Sequence, residues 1–146
     1  MSFTFFLPWL AVLTTLAFSS SPVSAQTSPL GTWLTTDDET GEAKSHIELY
    51  AVGDKIFGKI SRLLRPSLNH NCDKCDGERK NQPVLGMVII EDMQLSGGHW
   101  QHGRVLYPRQ GKWYSLKFWL KDGDINTLAV RGSFGPFYRT QYWKRV

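Results

Sequence analysis

The stretch Phe137-Tyr138-Arg139-Thr140-Gln141-Tyr142-Trp143-Lys144-Arg145-Val146 decides the fold. It is aromatic-rich and alternating and contains no turn residue, which is the pattern of a β-strand. A strand that runs to the last residue leaves unpaired backbone groups unless another strand covers it. The natural partner lies near Gly31-Thr32-Trp33, where the first strand-like run begins. Pairing the two would join the front and rear of the chain and close a barrel.

Between those ends, short alternating runs recur with turn residues between them, and helical periodicity is almost absent. The expected strands are Gly31 to Thr36, Ser45 to Val52, Lys55 to Leu64, Val84 to Asp92, His99 to Tyr107, Lys112 to Lys121, Ile125 to Ser133 and the closing run. Gly53-Asp54, Gly97-Gly98, Asp122-Gly123 and Gly135-Pro136 supply tight turns, Asp122-Gly123 being the strongest hairpin signal. In the clearest strand Tyr114, Leu116, Phe118 and Leu120 share one face, and Trp113, Ser115, Lys117, Trp119 and Lys121 the other. In the second strand Ile47, Leu49 and Ala51 oppose His46, Glu48, Tyr50 and Val52. The fourth run is apolar through Ile90, so both its faces are expected to be covered. Eight strands joined mainly by tight turns favour an all-β, antiparallel up-and-down barrel. Such a barrel is wide enough to be filled by side chains or to hold one small ligand.

Met1 to Ala25 carries no charged residue. Its apolar run from Phe3 to Phe18 gives way to Ser19-Ser20-Ser21-Pro22 and then to Val23-Ser24-Ala25, the pattern of a secretory signal peptide cleaved after Ala25. The run falls short of the roughly 20 apolar residues that span a bilayer. Residues 26–146 then form one domain. The formal net charge of +4 favours anionic partners such as acidic lipids or fatty acids. The basic residues are scattered, which argues against nucleic acid.

Both cysteines lie in the longest irregular stretch, Arg65 to Gln82, as Cys72-Asp73-Lys74-Cys75. A redox-active pair would need a thioredoxin-like βαβ setting, and a zinc site would need two more ligands beyond the adjacent His70. A disulfide pinning the loop is the preferred reading for an exported chain. His99 and His102 fall on opposite faces of a strand and make a poor metal pair unless a bulge intervenes. The acidic run Asp37-Asp38-Glu39 could seat a cation, but a loop of like charges is more often solvated. No nucleophile elbow or paired-histidine zinc helix is present, and neither an enzyme nor a cofactor is indicated.

The aromatic and arginine residues are more informative. Arg139, Gln141, Trp143 and Arg145 share one face of the closing strand, and an arginine from it can lie over the indole of Trp33. That contact can serve as a plug that closes the barrel. Alternatively, Arg131 or Arg139 with Gln141 can orient the anionic end of a small amphiphile inside an apolar cup. Trp33, Tyr50, Arg131, Arg139, Gln141 and Trp143 are therefore the candidates for lining or closing a ligand cavity. The competing expectation is a filled-core envelope protein that works through its surface and its Cys72–Cys75 loop.

With these residues in place, the chain resembles a bacterial family of small exported proteins, domain of unknown function 2147. The likeness rests on Gly31-x-Trp33, Asp37-Asp38-x-Thr40-Gly41, Cys72-Asp73-x-Cys75-x-Gly77-Glu78-Arg79-Lys80-Asn81-Gln82-Pro83 and Gly86-Met87. It continues through Trp100-x-x-Gly103, Pro108-x-x-Gly111-Lys112-x-Tyr114, Leu128-x-Val130-Arg131-Gly132 and Arg139-Thr140-Gln141-x-Trp143-x-Arg145. The resemblance implies a lipocalin-like barrel exported to the bacterial envelope, in the periplasm or secreted, and it implies no particular activity. One departure stands out: Tyr107 occupies the position before Pro108 where the family pattern usually has Asp, so no carboxylate is available there to cap the turn.

Overall fold

The computed structural model describes residues 28–146; the proposed signal peptide and its cleavage site lie outside them. Eight strands follow one another around a closed antiparallel barrel, each paired with its neighbours in sequence. They are β1 (Gly31–Thr36), β2 (Ala43–Val52), β3 (Lys55–Leu63), β4 (Val88–Ser96), β5 (His99–Tyr107), β6 (Lys112–Lys121), β7 (Asp124–Phe134) and β8 (Phe137–Arg145). The seam is the pairing of β1 with β8, Trp33 opposite Arg145 and Leu34 opposite Lys144, extended by the Val146 amide donating to the Thr32 carbonyl at 2.9 Å. No helix among the described residues is long and apolar enough to cross a membrane.

The up-and-down path sorts the connections into two ends. The tight β2–β3, β4–β5 and β6–β7 turns lie at one end. The β1–β2 loop, the long segment 64–87, the β5–β6 turn and the β7–β8 hairpin lie at the other. The first end is closed: Trp33, Leu49, Ile56, Met93, Phe118 and Leu128 are all fully buried and pack the barrel interior there. Burying aliphatic and aromatic side chains of this size stabilises a fold by ~1.5–3 kcal/mol each.

The fourth strand differs from the sequence expectation by about one turn of chain. It starts at Val88 rather than Val84 and continues to Ser96. Val84 is buried as the apolar pattern suggests, but it belongs to the loop, which adds it with Cys72, Cys75 and Met87 to the core of the barrel. Gly86, with φ +82°, turns the backbone before the ladder begins. Burial alone cannot tell a loop residue tucked under the barrel from a strand residue. Ile89 and Ile90 are both buried, so this part of the strand is covered on both faces.

Segment 64–87 is built rather than loose. Two short 3₁₀ turns, Pro66–Leu68 and Gly77–Arg79, flank the Cys72–Cys75 disulfide. The Asn81 amide donates to the Cys72 carbonyl, and the Cys72 amide to the Gln82 carbonyl, both at 2.8 Å. The loop docks on the β5–β6 turn, where a Cβ on Gly111 would stand 1.8 Å from the Lys74 carbonyl oxygen. Only glycine fits there, and its φ of +64° favours glycine as well. That turn is closed by backbone: the amides of Gln110 and Gly111 donate to the Tyr107 carbonyl at 3.0 and 2.9 Å. A main-chain acceptor therefore does the capping that a side-chain carboxylate at this position could do.

Candidate functional site

The open end of the barrel contains a cavity of about 310 Å³. Inward positions of β5 to β8 form it because side chains alternate across each strand. Val105, Leu116, Val130 and Trp143 make an apolar floor, and Phe134 and Phe137 form a rim beside the β7–β8 hairpin. Those two phenylalanines sit opposite each other and are 68% and 76% exposed, so this rim faces solvent. Gly132 lies in the wall opposite Arg139; a Cβ there would meet nothing within 4 Å, so this glycine leaves room.

Polar groups collect at one side of the mouth. Asp38, from the β1–β2 loop, reaches over the rim. Its Oδ2 accepts a hydrogen bond from Gln141 Nε2 at 2.6 Å and lies 3.1 Å from Arg139 Nε. Gln141 passes the arrangement inward, its Oε1 accepting from Trp143 Nε1 at 3.2 Å. Tyr114 donates its hydroxyl to Gln110 Oε1 at 2.5 Å. Tyr107 stands between these groups, and its phenol is pushed above the ordinary tyrosine value, first by partial burial and then by the negative charge of Asp38. The neighbouring Asp37 holds the loop: its Oδ1 accepts from the amides of Glu39 and Thr40 at 2.9 and 3.2 Å. Those bonds, helped by Arg65, depress its carboxyl below the usual range.

The six residues expected to line or close a cavity divide into three groups. Arg139, Gln141 and Trp143 line the one found here. Trp33 lies deep in the packed end with its indole under the Arg145 guanidinium, 4.3 Å from the ring centroid. It donates Nε1–H to the Pro29 carbonyl at 2.8 Å. This is the closing contact between front and rear strands, and the arginine that makes it is Arg145. Tyr50 and Arg131 are on the outer surface. Tyr50 alternates with the buried Leu49 and stacks on Phe57, with Lys59 near its ring. Arg131 follows the inward Val130, lies over Trp119 and Tyr138, and donates Nε–H to Thr140 Oγ1 at 2.9 Å.

Asp38, Tyr107, Tyr114 and Gln110 are the site residues that the sequence reading passed over. The acidic loop is not merely solvated: Asp37 caps its own turn and Asp38 enters the cavity mouth. A bulge does intervene at the histidine pair. The register with β6 shifts between Trp100 and Gly103, and His102 has a φ of +67°. His102 is exposed, while His99 packs on Trp119 with centroids 4.9 Å apart. Cys72 and Cys75 are joined to each other in the disulfide that the sequence pattern favours.

Residues 31–145 match the family model described as "Uncharacterized protein conserved in bacteria (DUF2147)". The chain belongs to this family. Among solved structures, this DUF2147 protein is similar to protein HP1028 from the human pathogen Helicobacter pylori, which is described as belonging to the lipocalin family. The two share 17% identity and a TM-score of 0.70, over 82% of this chain and 84% of that one. At that identity the likeness is one of fold: this DUF2147 chain is a lipocalin-like barrel. No curated protein matches it.

Proposed function

We propose that this DUF2147 protein is a binding protein, not an enzyme, exported to the bacterial periplasm to hold a small amphiphile. The cavity at the open end carries the proposal. Its apolar floor suits a hydrocarbon tail, and Arg139 and Gln141 at the mouth suit a polar or anionic head. A volume of about 310 Å³ stands at the small end for ligand pockets, which span ~300–1,000 Å³. A cavity of that size suits a single medium-length chain better than a two-chain phospholipid. The uncharged, apolar leader and the Cys72–Cys75 disulfide support export.

Two measurements test this reading. Native mass spectrometry of protein purified from bacterial periplasm should show a chain beginning at Gln26 and carrying a small molecule. The Gly132→Leu variant fills the cavity without straining the backbone, so it should fold normally and lose that molecule. Retention of the molecule by Gly132→Leu would place binding elsewhere, and a chain found only in the cytoplasm with its leader intact would remove the export reading.

A further inference from the structure

We propose that the Asp38 carboxylate occupies the place that the ligand's own anionic group takes, so that binding exchanges one carboxylate for another on Arg139 and Gln141. This rests on the amphiphile reading above and specifies its head group. One oxygen, Asp38 Oδ2, gathers both Gln141 Nε2 and Arg139 Nε. Arg139 and Gln141 are successive inward residues of β8, directly above the apolar floor. A carboxylate attached to a chain in the cavity would reach the same two donors from below, with its tail against Val130 and Leu116.

The partners on each side of this exchange are unequal. Arg139 is 70% exposed on its side chain, and its closest approach to Asp38 is through Nε rather than through its terminal nitrogens. Its fork is therefore available for a bidentate grip that Asp38 does not make. The loop bearing Asp38 does not need to unfold to release it. Asp37 fixes that turn through the Glu39 and Thr40 amides, and the Asp37 amide donates to the Glu42 carbonyl at 2.9 Å. Rotation of the Asp38 side chain alone vacates the donors. In the absence of ligand, Asp38 neutralises the arginine at an apolar mouth, and it selects against any occupant that cannot replace its charge.

The test compares decanoate with decanol, which share a tail and differ in the head, on the full chain and on Asp38→Asn. The asparagine keeps an oxygen for Gln141 but removes the charge. Decanoate should bind Asp38→Asn at least about fivefold more tightly than the wild type, the lower bound for removing one like charge at ~4 Å when water screens it fully, with decanol unchanged. Asp38→Ala should reproduce the gain, and adding Arg139→Gln to either variant should abolish it. Weaker or unchanged decanoate binding, or equal changes for both alcohol and acid, would overturn the exchange while leaving the cavity as a binding site. Failure of both probes to bind any of the proteins would instead remove the amphiphile reading itself.

Discussion

Arg145 lies over Trp33 with its guanidinium carbon 4.3 Å from the indole centroid, and the two residues are opposite each other where β1 meets β8. The same guanidinium donates to the carbonyls of Leu30 at 2.9 Å, Ser28 at 3.1 Å and Ile125 at 3.0 Å. One side chain thus ties the start of the described chain, the β6–β7 corner and the seam together.

Removing it should cost more than the ring contact alone. Arg145→Met is expected to destabilise by at least about 3 kcal/mol, because each bond from a charged donor contributes ~1.5–3 kcal/mol and three acceptors lose theirs. A double-mutant cycle with Trp33→Leu in urea unfolding should isolate a coupling of about 0.5–2 kcal/mol for the cation–π contact. Strictly additive effects would show that the stacking itself contributes nothing.

Gly111→Ala should undock segment 64–87 from the β5–β6 turn. The new methyl group would collide with the Lys74 carbonyl, and the φ of +64° disfavours any other residue by a further ~1–2 kcal/mol. Limited proteolysis should then cut between 64 and 87 in a barrel that still unfolds cooperatively. Unchanged resistance would mean that the loop is held by its disulfide cluster alone.

Acid should loosen the β1–β2 loop late. The folded-state carboxyl of Asp37 is depressed by the Glu39 and Thr40 amides. Its contribution is therefore complete above the unfolded value of ~3.9 and fades as the pH falls through the lower folded value. Amide hydrogen exchange at Glu39 and Thr40, corrected for intrinsic rates, should stay protected at pH 5 and lose protection only below about pH 4. In Asp37→Asn, that pH step should disappear.

Tyr107 should ionise above the ordinary tyrosine range, with burial as the larger cause and Asp38 as the second. A spectrophotometric titration differenced against Tyr107→Phe would isolate it. Asp38→Asn should move its midpoint down toward, but not to, the value of a free tyrosine. No movement would separate Asp38 from the Tyr107 side of the mouth.

Much of the barrel was legible in the sequence because its turns are chemically explicit and its clearest strand alternates without ambiguity. Tyr114 to Leu120 gave the inward face of β6 directly, and the aromatic closing strand gave the seam. The site was less legible for a reason that lies in particular residues. Leu128-Ala129-Val130 is apolar at every position and all three are buried, so the run does not say whether Arg131 faces in or out. Tyr50 is a different case, since alternation with Ile47 and Leu49 already places it on the opposite face. Asp38 carried no periodic signal at all. A loop carboxylate that meets residues more than a hundred positions away is set by the closure of the barrel, which no local pattern reports.

The claim on which the rest depends is that the open-end cavity takes the apolar part of a ligand. The most direct measurement is a crystal structure with 10-bromodecanoate, its bromine located by anomalous scattering. A single bromine peak against Val105, Leu116 and Val130 is the expected result, with the carboxylate at Arg139 and Gln141 in place of Asp38. Bromine confined to the outer surface, beside Trp119 or Tyr142, would contradict it.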